Sequence, residues 1–303
     1  MGRRAGKRVS LVLGSGGARG LAHIGVIQCL EEQGYRIESI AGASMGALVG
    51  GIHAAGELAA YRDWVCALSR TDVLRFLDFA FAVGGLFKGD RIMDTLRDMV
   101  GEHAIEDLPI AYTAVATDID RQREVWISRG PLFDAIRASI AVPTVFTPHR
   151  YLGLTLVDGG LLNPVPIAPT FRDRTDLTIA VNLNGGDRAP RGPERGHDRD
   201  TAATPKDDLV SRIRQFLDGI GENLMPSGPA DLGVFELVSR SIETMQNAIT
   251  AVKLAAYAPD LVIEVPRDAC GAHEFYRARE VIELGYRLAG ESLGSFRDSD
   301  RSV

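Results

Sequence analysis

VSLVLGSGGARGLAHIGVIQCLEEQGYRIESIAGASMGALVGGIHAA, residues 9–55, makes the same change of periodicity twice. Residues 9–13 are a short β-branched and leucine run that ends in the glycine cluster at 14–20. Residues 21–33 carry Leu21, Ile24, Val26, Ile27 and Leu30 at helical spacing, and Gly34 closes that helix. Residues 37–41 are a second short apolar run, Gly42 opens a second glycine-bounded turn, and small residues from 46 to about 55 read as another helix. The order is therefore strand, helix, strand, helix. A crossover helix makes the two strands parallel, so both glycine loops leave the same carboxyl edge of a sheet, where open α/β folds bind ligands.

Outward from this unit, further strands are expected at 111–117, 124–128, 154–157, 177–182 and 261–265, with helices between many of them. The fold class is α/β, with a mainly parallel central sheet covered by helices on both faces. Residues 185–208 are rich in Gly, Pro, Arg and Asp and read as a flexible, solvated insertion within a domain that continues through 171–303. Helices are expected at 209–217, 235–257 and 274–289, and no internal repeat is visible.

Composition narrows the function. The chain has 303 residues, 45% of them of hydrophobic type, enough for a sizeable core. Lys and Arg total 34 against 40 Asp and Glu, a net charge of -6, so no global cationic field draws it to nucleic acid. The three cysteines, Cys29, Cys66 and Cys270, are far apart, which argues against a disulfide framework or a zinc site and fits a reducing, cytoplasmic compartment. Arg3, Arg4, Lys7 and Arg8 precede an apolar run too short for a signal peptide, and no run approaches the length of a membrane span. A soluble protein, at most peripherally in contact with a membrane, is expected.

Gly42-Ala43-Ser44-Met45-Gly46 is a GxSxG between a strand and a helix, where small flanking residues let the chain turn sharply and expose the serine. The free N–H groups of a helix starting at Met45 and Gly46 would favour a developing negative charge. The pattern alone is weak, and the chain supplies its own control. Gly290-Glu291-Ser292-Leu293-Gly294 matches too, but no strand precedes it, and it reads as the C-terminal turn of the final helix. Gly14-Ser15-Gly16-Gly17-Ala18-Arg19-Gly20 has Arg19 where a dinucleotide fingerprint needs glycine, and it lacks the GK[ST] of a phosphate loop. Topology puts this loop beside Ser44, so exposed backbone N–H groups forming an oxyanion hole are the better reading. Val157-Asp158-Gly159-Gly160 places a carboxylate at a strand end; by itself it would be read as a turn. None of the six histidines, His23, His53, His103, His149, His197 and His273, has a compelling catalytic context.

Taken together, Gly16-Gly17-Ala18-Arg19-Gly20, the GxSxG at Ser44 and Asp158-Gly159-Gly160 resemble, in that order, the three signature blocks of patatin-like phospholipases. Ala138-Ser139-Ile140-Ala141-Val142-Pro143, with Phe146 and Pro148, resembles a block of the same family that precedes the aspartate. The likeness covers about residues 9–166, implies a catalytic core over 9–170, and reaches a closing helix near 274–286. It implies a three-layer fold and a Ser-Asp dyad. Ser44 would be the nucleophile, in an elbow of Gly42, Met45 and Gly46, and Asp158 its base, followed by the turn at Gly159 and Gly160. Backbone N–H groups at Gly16 and Gly17 would receive the oxyanion, and Ala18 and Arg19 complete that loop. Arg19 would orient the loop or meet a phosphate, or else stand as a surface charge. The substrate implied is a lipid or other acyl ester, and no metal or organic cofactor is needed. The family's glycine triplet begins here with Ser15, which is harmless if Ser15 keeps a permitted backbone conformation.

Phe76, Leu77, Phe79, Phe81, Val83, Leu86 and Phe87 read as an apolar wall for an acyl chain, or equally as a buried core helix. Two other functions compete. One is a non-catalytic lipid-binding or regulatory protein on the same fold. The other is an α/β-hydrolase esterase whose triad ends in a late histidine such as His273, although too few strands precede Ser44 for that fold.

Overall fold

The computed structural model describes residues 6–76, 89–143, 145–186 and 234–300. Two compact units divide the chain: Met1–Asp187 with Ile242–Val303, and Arg188–Ser241. Of the second, the described part is the opening of a helix over 234–241.

In the first unit an eight-stranded sheet comprises β1 (Arg8–Leu13), β2 (Arg36–Ala43), β3 (Ala111–Asp118), β4 (Arg123–Ile127), β5 (His149–Tyr151), β6 (Leu154–Asp158), β7 (Leu177–Gly185) and β8 (Leu261–Pro266). Its hydrogen-bonded path runs β5-β6-β3-β2-β1-β7-β8, with β4 also paired to β3. The ladders from β3 through β2, β1 and β7 to β8 are parallel, and those of β4, β5 and β6 are antiparallel. The sheet is thus mixed with a parallel centre. Strand order reverses at β1, since β2 follows on one side and β7 is added later on the other, and such switch points leave a crevice at the carboxyl edge.

The described helices are α1 (Ala22–Glu32), α2 (Met45–Ala54), α3 (Leu58–Ala67), α4 (Arg70–Phe76), α5 (Asp90–Val100), α6 (Leu132–Ser139), α7 (Val234–Tyr257) and α8 (Ala278–Asp300). The two-residue period of a strand shows in β1. Val9, Leu11 and Leu13 join the main core with Ile24 and Ile27 of α1, Ile52 of α2, Phe133 and Ile136 of α6, and Val281 of α8. Val12, on the opposite face, packs with Ala180, Val165 and Ile167, against Leu254 and Tyr257 of α7. That is a three-layer α/β arrangement. Burying each leucine of β1 contributes about 2 kcal/mol.

Several sequence expectations change here. The final helix begins at Ala278 and runs to Asp300, past the expected end at 289. Gly290 and Gly294 do not stop it, because Leu293 is fully buried and keeps the helix docked on the core. Ser292 therefore lies inside a helix and not in a C-terminal turn. The helix expected at 209–217, the insertion from 187 onward and the aromatic segment beyond Phe76 up to Phe87 lie outside the described residues. Among the described residues no helix is long and apolar enough to cross a membrane.

Candidate active site

The register of β3 determines which groups meet. β4 lies along one flank of β3 over Ala114 to Asp118. β2 partners Ala111 to Val115 and β6 partners Ala116 to Asp118, so both must occupy the other flank, end to end. β2 arrives with Ala43 opposite Val115, and β6 arrives from the other direction with Asp158 opposite Ala116. Ser44 and Asp158 thus sit where two strands run toward each other. Gly159 passes so close to β3 that a Cβ there would lie 1.9 Å from the Val115 carbonyl oxygen.

Ser44 has φ 55° and ψ -124°, outside both strand and helix regions, and it is the residue preceding α2. Two glycines make this bend possible by close approach. A Cβ on Gly42 would lie 2.4 Å from the Gly46 oxygen, and one on Gly46 would lie 2.0 Å from the Leu13 oxygen. The turn thereby folds back onto itself and onto the end of β1. Ser44 and Met45 are both buried, with Ser44 only 5% exposed.

Asp158 caps the short 3-10 turn Gly159–Leu161, its Oδ1 accepting the Gly160 N–H at 2.7 Å. Burial raises its pKa from 3.8 to about 6, opposed first by the Ser44 hydroxyl and then by the Gly160 amide. Among the described residues, no full hydrogen bond closes on the buried Oδ2. The carboxylate is thus left with unused acceptor capacity beside the serine.

The glycine loop after β1 continues into a 3-10 turn over Gly17–Leu21. Three of its amides are committed: Gly14 N–H to Val181 O at 3.1 Å, Ser15 N–H to Pro164 O at 2.8 Å and Ala18 N–H to Ala272 O at 2.8 Å. Among the described residues, the Gly16 and Gly17 amides have no such backbone acceptor. Gly17 has φ 57°, a left-handed conformation that favours glycine. Ser15 is not among the residues of positive φ, so it takes its place in the loop without backbone strain. Its Oγ is buried against Gly160, where a Cβ would lie 2.5 Å from it.

Arg19 is buried, which sets aside the alternative of a surface charge. Its Nε donates to Gly16 O at 3.2 Å, its Nη1 to Arg267 O at 2.9 Å and its Nη2 to Glu243 of α7 at 3.1 Å. His23, with no exposure, contacts Gly14 O through Nε2 at 2.8 Å. That carbonyl can only accept, so Nε2 carries the hydrogen. Burial lowers the His23 pKa to about 4 and keeps the ring neutral. Among the described residues no histidine hydrogen-bonds to Ser44 or Asp158, and His273 is exposed.

Three contributors escaped the sequence reading of roles. Glu243 anchors Arg19, Ser139 accepts the Ser44 N–H at 2.9 Å, and Ala141 O accepts the Asp158 N–H at 3.0 Å. The block around Ser139 was visible as a pattern. Glu243 carried no signal, being one of many charges on an amphipathic helix.

A mixed sheet between helical layers, with a serine on a strained strand-to-helix turn beside a buried carboxyl, defines a three-layer α/β protein. The family model of patatin-like phospholipases matches residues 11–171, and the chain belongs to that family. It is 43% identical to an uncharacterized NTE family protein of Mycobacterium tuberculosis, over 98% of this chain and 94% of that one. A patatin-like phospholipase domain-containing protein of Caenorhabditis elegans is 29% identical over 98% of this chain, which spans 21% of that protein. The lysophospholipase NTE1 of Pyricularia oryzae is 28% identical over 98% of this chain and 19% of its own length. In fold, the chain is similar to VipD from Legionella pneumophila, with a TM-score of 0.52 at 15% identity, covering 97% of this chain and 67% of that one. The sheet order and the family set aside the α/β-hydrolase alternative.

Proposed function

We propose that the protein is a serine acyl hydrolase that cleaves lipid acyl esters by a Ser44–Asp158 dyad. The observation that carries this reading is the bent Ser44, packed against a buried carboxyl whose pKa is raised to about 6. A base with a pKa near the working pH combines the ionised form with a useful drive for proton transfer.

Asp158 takes the Ser44 proton as Oγ attacks the ester carbonyl carbon. Collapse of the tetrahedral intermediate expels the alcohol, which takes the proton back from Asp158. Water, deprotonated by the same carboxylate, then attacks the acyl-serine, releases the fatty acid and restores Ser44. The oxyanion is received by the amides of Gly16 and Gly17. A peptide unit is planar and trans, so holding the Gly16 carbonyl through Arg19 also aims the Gly17 N–H. Arg19 is therefore assigned to loop orientation and not to a substrate phosphate. The relative that carries the name lysophospholipase supports a single-chain phospholipid as the substrate class.

Fatty acid release from a lysophospholipid and from a medium-chain ester is the measurement. Turnover by the wild type that is lost in Ser44→Ala and Asp158→Asn is expected. A folded wild type that binds lipid vesicles but releases no fatty acid would instead favour the lipid-binding, regulatory reading.

A further inference from the structure

We propose that residues 138–142, the last two residues of α6 and the three that follow it, act as a clip that sets the distance between Ser44 and Asp158, with Ser139 as the positioning residue. This rests on the dyad proposed above.

The need for a clip begins at Ser44. Its amide falls between two hydrogen-bonding systems: the β2 ladder ends at Ala43, and α2 opens with Ala47 and Leu48 donating to the Ser44 carbonyl. An N–H buried in such a bend needs an acceptor from elsewhere, because leaving it unpaired is costly. Ser139 Oγ supplies it at 2.9 Å. The same hydroxyl donates its one proton to Val115 O at 2.6 Å, so its polarity toward Ser44 is fixed and it can only accept there. Val115 is the β3 residue paired with Ala43, which ties the elbow to the strand it leaves.

Two residues further on, the Ala141 carbonyl accepts the Asp158 N–H at 3.0 Å. One short segment therefore grips the backbone amide of each dyad residue. The segment is itself rigid. Leu132, Phe133, Ala135, Ile136, Ala138 and Ser139 are all fully buried. Ile140 N–H bonds to Ile136 O at 2.9 Å, Val142 N–H to Ile140 O at 2.7 Å and Phe146 N–H to Val142 O at 2.8 Å. Because Ser44 and Asp158 arrive at the ends of different strands, the contact between their side chains does not by itself fix the separation of their backbones. A third element does so from behind, and proton transfer is sensitive to small errors in that separation.

The test compares Ser139→Ala, Ser139→Cys and Ser139→Thr with the wild type, in hydrolysis of a medium-chain ester and in the rate of labelling by a fluorophosphonate. Removing the acceptor in Ser139→Ala should lower kcat and the labelling rate roughly 10- to 100-fold while KM changes less than about twofold. Ser139→Thr keeps the hydroxyl and should regain most of the loss, with Ser139→Cys between them. A residue that only supports the core would lower the melting temperature yet leave kcat and labelling unchanged well below it, and that result overturns the clip. If Ser139→Ala does not fold, Ser139→Cys decides, and labelling at the wild-type rate rejects the proposal. Absence of labelling at Ser44 in the folded wild type would remove the dyad and the clip together. Normal wild-type labelling with an unaffected Ser139→Ala would remove the clip alone.

Discussion

Ser44 and Ser292 have the same neighbours by pattern, a glycine two positions before and two after, and they differ in everything chemical. At Ser44 the glycines permit a backbone bend between β2 and α2, and the serine faces a carboxyl 114 residues later in the chain. At Ser292 the glycines are two more residues of a long helix, held in place by the buried Leu293. On the proposed reading, what would make Ser44 a nucleophile is the strained turn and what converges on it. The pattern only allows such a turn.

The largest effect that would sharpen this contrast is at the carboxyl that Ser292 lacks. Asp158→Asn should reduce turnover by roughly 10³-fold or more, in line with the loss of a general base, and at the same time stabilise the protein. The folded pKa of about 6 lies above the unfolded 3.8, so the folded state holds an extra proton between those values. Stability falls as pH rises through that window, and above it the buried charge costs about 3 kcal/mol. A higher melting temperature for Asp158→Asn at pH 8 should therefore shrink toward the wild-type value near pH 4, as followed by thermal unfolding. An inactive variant that was no more stable would contradict the buried, ionised base.

The same carboxyl sets the pH profile. Activity should climb about tenfold per pH unit below pH 6 and level off above it, as read from kcat against pH. His23 works in the opposite direction on stability. Its folded pKa of about 4 lies below its ordinary 6.5, so the stability present above 6.5 is lost as pH falls through that interval.

A smaller effect is expected at the outer support of the glycine-rich loop, the proposed oxyanion hole. Glu243→Gln keeps a hydrogen-bond acceptor for Arg19 but removes the charge from a half-exposed partner, so kcat should fall roughly threefold to tenfold with little change in KM. The smallest belongs to the decoy. Ser292→Ala should leave turnover unchanged and shift stability by no more than about 0.5 kcal/mol.

The parallel centre of the sheet was legible because periodicity switches cleanly between residues 9 and 55, and each switch is punctuated by glycine. The serine, its elbow and the glycine loop came with it. The end-to-end meeting of β2 and β6 was not legible, since it depends on β4 occupying the other flank of β3, a non-local pairing that no run of residues encodes. Loop orientation was among the readings of Arg19, and its bond to Gly16 O fits that; its partner Glu243, 224 residues away, was not legible. Ser139 was visible inside a familiar block, but a hydroxyl on an apolar helix reveals no bonding partner until the strand beside it is in place. The overlong final helix shows tertiary burial overriding local glycine signals.

The most direct measurement is to treat the folded wild type with a fluorophosphonate and locate the adduct by peptide mass mapping. An adduct on Ser44, absent from Ser44→Ala and present at full rate in Ser292→Ala, is the expected result. An adduct on Ser292 or another serine, or none on protein that is folded, would contradict the assignment of Ser44 as the nucleophile.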